Sequence, residues 1–467
     1  MPLGLRHLTS LEILPRFVVS QEGFNAARSS CGWCKTKKAT SSGGLSELKE
    51  LSNLGGNLFI KDLGHGKDDM VECKATNMKE KQHLQRLELR WKRMSDRETE
   101  CYDEESLEGL QPHPNLKALE LWWYMGVRIP NWVSSLTNLV QLRFVSNTRL
   151  KYLPPLNKLP FLKSFFMEKM EALEYISEEE ESVSNVLGGS SSSSSKTIEF
   201  FPSLSSLELR ECPNLKGWWR KDYDNEPDHL LLPSFPCLSI LWIINCPKLT
   251  SMPLFPYLKE RLFLFGTSSK VLQQTMKMGT RQRASTATTS TSTSSSSCFP
   301  LSQLQSLDLR GVNDLESLPE EWLGTSHHYN VLKLVIGPIQ HHCHHCPKLT
   351  SMPPFPYLKE RLELWRVSSK VLQQTMKMGT RQRASTATTS TSTSSSSCFP
   401  LSQLQSLDLR GVNDLESLPE EWLGNLTSLQ RQRCQRQTGE DWPNIAHVPY
   451  VRVDGVNQQQ ETIPSSS

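Results

Sequence analysis

The stretch LSSLELRECPNL, Leu204 to Leu215, is answered further along the chain by LSILWIINCPKL, Leu238 to Leu249. Both place apolar residues at positions one, four, six and twelve and a cysteine at position nine. A third copy, Leu139 to Leu150, has Leu139, Leu142, Phe144 and Leu150 in the apolar positions and Asn147 in the cysteine's place. In the first copy the apolar pair at positions four and six alternates with Ser, Glu and Arg, the period of a half-buried strand. The small Asn or Cys that follows suits a turn whose side chain folds back inward.

This spacing, LxxLxLxx(N/C)xxL, is the signature of the leucine-rich repeat. Weaker copies start at Leu84, Leu116, Leu159, Leu304 and Leu404. Each repeat adds one short parallel strand and one segment on the opposite side, so that neighbours bury a continuous core. The expected fold is therefore an α/β repeat: a leucine-rich-repeat solenoid, curved, with short parallel strands on its concave face and disordered Ser/Thr-rich insertions.

The low-complexity runs at Ser190 to Ser195, Ala284 to Ser297 and Ala384 to Ser397 supply no core and read as solvated loops. They divide the chain into an incomplete first repeat with an irregular insertion (1–44), repeats (45–182), a Ser-rich linker (183–199), repeats with a carboxy-terminal cap (200–455) and a disordered tail (456–467). The second block carries insertions at 279–298 and 379–398. It also contains a near-exact duplication, 246–324 recurring as 346–424 with only five changes.

The copies part after Gly324 and Gly424, which makes the histidine-rich HHCHHC, His341 to Cys346, junction sequence. Aligned on the duplication, Pro338, His341 and Cys343 replace the strand positions Leu238, Leu241 and Ile243, so a damaged strand is expected there. Cys346 falls in the turn position of a repeat, and adjacent residues on an extended strand point to opposite faces, so no metal site is expected. Cys31 and Cys34 form a CxxC with no second pair and no βαβ context, and are likewise not assigned a metal or redox role.

Of 467 residues, 52 are basic and 49 acidic, a net charge of +3 that argues against a dedicated nucleic-acid binder. No run approaches the roughly 20 apolar residues of a membrane span, and the amino terminus lacks the continuous apolar core of a secretion signal. Twelve irregularly spaced cysteines fit reduced thiols in the cytoplasm. There is no phosphate-binding GxxxxGK[ST], no GxSxG and no HExxH, so no enzyme and no cofactor is expected.

Several blocks together carry a family likeness: LPRFVV from Leu14, LSELKEL from Leu45, KEKQHLQRLELRW from Lys79 and LEGLQPHPNLKALEL from Leu107. RIPNWV from Arg128, YLPPLNKLPFLKS from Tyr152 and GEDWPNIAHVP from Gly439 continue it. They resemble the leucine-rich-repeat region of plant intracellular coiled-coil, nucleotide-binding disease resistance proteins. The resemblance implies recognition of a protein partner, either a pathogen effector or a guarded host protein altered by one. It also implies that the nucleotide switch would come from a separate receptor chain, because the family's nucleotide-binding module is not found in this sequence.

The residues beside the inward strand positions define the expected partner-binding face: Glu88 and Arg90, Glu120 and Trp122, Arg143, Glu208 and Arg210, Trp242 and Ile244, Asp308 and Arg310, Glu363 and Trp365, Asp408 and Arg410. Read in register they form a column of carboxylates beside a column of guanidinium and indole groups. Such charges also keep a sheet soluble, but Arg and Trp are favoured as interface anchors. A substrate adaptor of a ubiquitin ligase would share the array but needs a ligase-binding motif that is not found; a nonfunctional gene fragment is the third reading. Arg431 stands where the last repeat wants an apolar residue, so that strand should fray unless Trp442 and Ile445 cover it.

Overall fold

The computed structural model describes residues 2–19, 44–93, 101–156, 159–177, 201–219 and 235–250. Beyond these it describes 252, 258–273, 304–312, 314–316, 318, 331–335, 349, 358, 360–365, 369–373, 404–410, 412, 418, 424–431, 447–453 and 456–459. The Ser/Thr runs, Cys31, Cys34, the HHCHHC stretch, Trp442 and Ile445 lie outside the described residues. The chain divides into two units, Met1–Cys237 and Leu238–Ser467.

In the first unit the strands are β1 (Arg16–Val18), β2 (Gly55–Leu63), β3 (His83–Trp91), β4 (Ala118–Trp122), β5 (Gln141–Val145), β6 (Ser164–Glu168), β7 (Tyr175–Ser177), β8 (Ser206–Arg210) and β9 (Gly217–Trp219). Seven of them, all but β7 and β9, pair in chain order and in parallel. β7 and β9 form a second small parallel pair. The links hold short 3-10 turns and two helices, α1 (Lys67–Lys74) and α2 (Asp103–Gly109).

The alternation expected from the leucines is what the strands show. Leu87 and Leu89, Leu119 and Leu121, Leu142 and Phe144, and Leu207 and Leu209 are all buried. Full burial of such a side chain contributes ~1.5–3 kcal/mol, and the pairs of successive strands add to one core that neighbouring repeats share. In β6 the pair is Phe165 and Met167, three residues beyond the register expected from a repeat starting at Leu159; Leu159 and Leu162 are buried ahead of the strand. Phe and Met fill inward positions as well as leucine does.

After the strand the chain turns in the same way in repeat after repeat. The residue just past it adopts positive φ: Trp123, Ser146, Lys169 and Glu211 here, and Asn245, Gly266 and Gly311 in the second unit. The left-handed residue keeps its N–H in the ladder, as Trp123 donates to the Val145 carbonyl at 3.0 Å and Ser146 to that of Glu168 at 2.8 Å. The following Asn or Cys then folds inward as expected. Asn147 is fully buried, accepts from the Tyr124 N–H at 3.0 Å and donates to the Leu121 carbonyl at 3.4 Å. Cys212 donates to the Arg210 carbonyl at 3.3 Å and Cys246 to that of Ile244 at 3.5 Å.

The second unit contains β10 (Ile240–Ile244), β11 (Arg261–Phe265), β12 (Ser306–Arg310), β13 (Val331–Val335), β14 (Arg361–Trp365), β15 (Ser406–Arg410), β16 (Ser428–Arg431), β17 (Tyr450–Val453) and β18 (Val456–Gln459). They pair in chain order, parallel as far as β17 and antiparallel between β17 and β18. Between the duplicated copies β13, built from the junction's VLKLV, pairs with β12 and β14; Pro338, His341 and Cys343, where a damaged strand is expected, lie outside the described residues. β17 pairs with the strand that ends at Arg431, and β18 pairs back on β17; Trp442 and Ile445, the expected cover, lie outside the described residues. The two residues between Val453 and Val456 are Asp-Gly, the pair favoured where a hairpin reverses.

Candidate functional site

The leucines turn one face of each sheet toward the core, and period two sends the intervening residues to the other face. The expected site residues all lie there, but not in an open, solvated column. Glu120, Asp308, Glu363 and Asp408 are buried, and Glu88, Arg90, Trp122, Arg143, Glu208, Arg210, Trp242, Ile244, Arg310, Trp365 and Arg410 are half-buried. Strands stand only ~4.8 Å apart, so long side chains on neighbouring strands cover one another.

On the first unit Glu88 stands opposite Glu120 and Arg90 opposite Trp122, and side chains of the two rows interleave into one stack. Arg16 lies over the Phe59 ring at 5.3 Å, and Arg90 lies 4.9 Å from Phe59 and 4.0 Å from Trp122. Arg143 lies 5.3 Å from Trp122 and 4.1 Å from Phe166, and Arg210 lies 5.6 Å from Phe166. Across the seven main strands the order is therefore Arg, Phe, Arg, Trp, Arg, Phe, Arg. Each aromatic ring has a guanidinium on both sides, a contact of ~0.5–1 kcal/mol where exposed and more where dry.

The carboxylates neutralise some of these cations. Arg90 Nε donates to Glu88 at 2.6 Å, Arg210 Nε donates to Glu208 at 2.5 Å, and Arg86 pairs with Glu120. Glu120 also accepts from Trp122 Nε1 at 3.2 Å. Arg16, Phe59 and Phe166 were missed when the face was read from leucines alone. Aligning Leu58 with Ile60, and Phe165 with Met167, as inward pairs is the signal that finds Phe59 and Phe166.

On the second unit the rings of Trp242 and Phe263 pack at 4.7 Å, and Arg310 lies 5.0 Å from Phe263. Arg310 donates twice to Asp308, at 2.8 and 2.7 Å, and Arg410 twice to Asp408, at 3.0 and 2.8 Å. Arg410 also lies 4.3 Å from Trp365 and donates to Gln430 at 3.0 Å. Glu363 and Asp408 stand in register on adjacent strands, with Arg361 at 3.3 Å from Glu363. Burial, with the Glu363 charge adding to it, raises the Asp408 carboxyl above its ordinary value despite Arg410.

Away from these faces the first unit holds a buried polar cluster that no periodicity announces. His65, Cys101 and Asp103 bring three potential metal-ligand atoms within 4.8 Å of one another. The ring is already fully engaged: Nδ1 lies 2.9 and 3.0 Å from the two Asp103 oxygens, and Nε2 lies 2.9 Å from the Lys92 carbonyl. Burial disfavours the imidazolium, but the hydrogen bonds and charge of Asp103, with Cys101 and Lys92 assisting, outweigh it and raise the His65 pKa to about 10. The cluster is thus a buried ion pair that ties the β2–α1 link to α2. Asp103 extends the tie by accepting from the Met125 N–H at 2.7 Å.

Residues 45–170 match the family of R13L1/DRL21 leucine-rich repeats. The putative disease resistance protein RGA4 of Solanum bulbocastanum is 30% identical over 280 residues, 59% of this chain and 24% of that protein. RGA1 of the same species is 30% identical over 293 residues, covering 62% and 24%. The RPP13-like protein 1 of Arabidopsis thaliana is 25% identical over 344 residues, covering 71% and 31%. The chain therefore spans about a quarter of the length of the first two curated relatives, and its similarity is to the leucine-rich repeats of plant disease resistance proteins, as the sequence blocks suggested. Among solved structures, a chain of the Drosophila Toll–Spatzle complex aligns with TM-score 0.43 at 14% identity over 84% of this chain and 45% of that one. A chain of the TLR13–ssRNA13 complex aligns with TM-score 0.36 at 16% identity over 90% and 46%. Among the described residues no helix is long and apolar enough to cross a membrane.

Proposed function

We propose that this chain is the recognition surface of a plant disease resistance receptor. In this reading the open sheet faces of its repeats bind a protein in the cytoplasm, either a pathogen effector or a host protein that an effector has altered. The nucleotide-dependent switch is supplied by the family's nucleotide-binding module, and recognition by the repeats. The observation that carries the reading is the Arg–aromatic stack over seven strands of the first unit, since Arg and Trp are the residue types that anchor protein interfaces and a sheet needing only solubility would not keep rings on its outer face. The similarity of the repeats to those of disease resistance proteins sets the biological context.

The test is co-precipitation of epitope-tagged chains from challenged plant tissue, followed by binding measurements with the purified partner. Trp122→Ala and Trp242→Ala should each weaken binding at least tenfold, as loss of a desolvated anchor costs about 2 kcal/mol or more. Arg210→Glu and Arg310→Glu should impair association while leaving the circular dichroism spectrum unchanged, because charge complementarity governs encounter more than folding. Equal binding by all four variants and the parent would place recognition elsewhere on the chain.

A further inference from the structure

The stack on the first unit is not evenly neutralised, and the imbalance identifies a point on it. Two of its arginines have a carboxylate each, Arg90 with Glu88 and Arg210 with Glu208, and Arg86 beside the stack pairs with Glu120. Arg16, on the first strand, is exposed to water. Arg143, on β5, is half-buried between Trp122 and Phe166 and has no ion pair or hydrogen bond among the described residues; its Nε is sealed from solvent without an acceptor. The register neighbour that could serve it is Glu120, but both of that carboxylate's oxygens are engaged, one by Arg86 and the other by Trp122 Nε1.

A guanidinium held against two aromatic faces has lost part of its hydration and keeps its fork of donors in one plane. The ligand that best replaces the lost water is a carboxylate, which accepts two parallel N–H bonds from that fork. Building on the proposal that this face binds a protein, we propose that Arg143 is the specificity point of the first unit: it takes one Asp or Glu side chain of the partner, with Trp122 and Phe166 packing on the apolar residues beside it. The aromatic walls supply dry contact area, and the uncompensated charge supplies the selection.

A displayed library of random twelve-residue peptides, selected against the full chain, tests this. The selected peptides should share an acidic residue at one position, and changing it to the matching amide should weaken binding about tenfold or more, the scale of a lost hydrogen bond to a charged group. Arg143→Gln should lose the same factor and no longer distinguish acid from amide. Arg143→Lys should restore the distinction in part, and matching thermal melts would show that all three chains fold alike. Peptides that need Trp122 but bind parent and Arg143→Gln equally would overturn the assignment of Arg143 and leave the face as the binding surface. A library that yields no binder sensitive to either Trp122→Ala or Arg143→Gln would overturn both.

Discussion

The two units build their open faces from the same alternation, and Glu88 and Glu208 answer Arg90 and Arg210 in the first as Asp308 and Asp408 answer Arg310 and Arg410 in the second; they differ at one half-buried arginine. In the second, the duplicated strand SLDLR carries its own counter-charge two residues before its arginine, so Arg310 and Arg410 are each clamped by two hydrogen bonds within one strand. In the first, arginines and aromatic rings alternate from strand to strand, and Arg143 has no acid on its own strand or engaged from the next. A clamped cation is a structural part. An unclamped one between rings is available to a ligand, and a face is better judged by which of its charges are already answered than by how many it has.

The largest effect expected in the first unit lies away from its open face, at Asp103. Asp103→Asn leaves His65 buried without its counter-charge and should destabilise the first unit by about 3–5 kcal/mol, the usual cost of halving a buried pair. The sign with pH follows from the raised His65 pKa. The pair's contribution is complete below the unfolded value of about 6.5 and is lost as pH rises through the folded value of about 10. Thermal melts between pH 6 and 10 should therefore show a decline in the parent that is absent in Asp103→Asn; parallel curves would mean that His65 is neutral in the folded chain.

A smaller effect distinguishes the two duplicated copies. Gly266 has a φ of 59°, and a Cβ there would meet the Asn245 side-chain oxygen at 2.4 Å. Gly266→Ala should cost about 1–2 kcal/mol for the left-handed backbone, together with displacement of Asn245. At the matching position the second copy has Arg366. Urea titration of Gly266→Ala and Gly266→Arg would check this: a midpoint unchanged from the parent would show that the turn accepts a side chain, as Trp123, Ser146 and Glu211 accept positive φ in their own repeats.

How much of this was legible in the sequence depended on what kind of signal carried it. Leucine spacing located most of the strands because a short strand buried on one face leaves a period-two trace. It slipped at β6, where Phe165 and Met167 do leucine's work, and it passed over β1 and β2, whose inward residues Phe17, Leu58 and Ile60 stand in no complete motif. At the seam, alignment on the duplication points to His341, outside the described residues, and passes over the junction's own VLKLV, which forms β13. The rows of the face could be read from register. Which acid answers which base could not, because an arginine reaches carboxylates on its own strand and on either neighbour, and the rotamer decides. His65 and Asp103 are 38 residues apart with no shared period, so nothing in the sequence joins them.

The sharpest test of the comparison uses one substitution in two places, and the smallest expected effect is at one of them, Arg143. Arg410→Met removes both hydrogen bonds to Asp408 and leaves that buried carboxylate beside Glu363, whose charge already helps to raise its pKa. The loss should be about 1–3 kcal/mol, the cost of stranding a buried polar group. Lowering the pH toward the raised Asp408 value should reduce the loss, because a protonated Asp408 no longer needs its cation. Arg143→Met strands no carboxylate. It removes a half-buried charge with an unanswered Nε and replaces it with a side chain that also packs on Phe166 and Trp122. The lost cation–π contacts and the relieved desolvation oppose each other, so stability should stay within about 0.5 kcal/mol of the parent. Urea unfolding of the two variants side by side measures the difference. If Arg143→Met costs as much as Arg410→Met, Arg143 is already answered from within the chain, and the contrast between the two faces disappears.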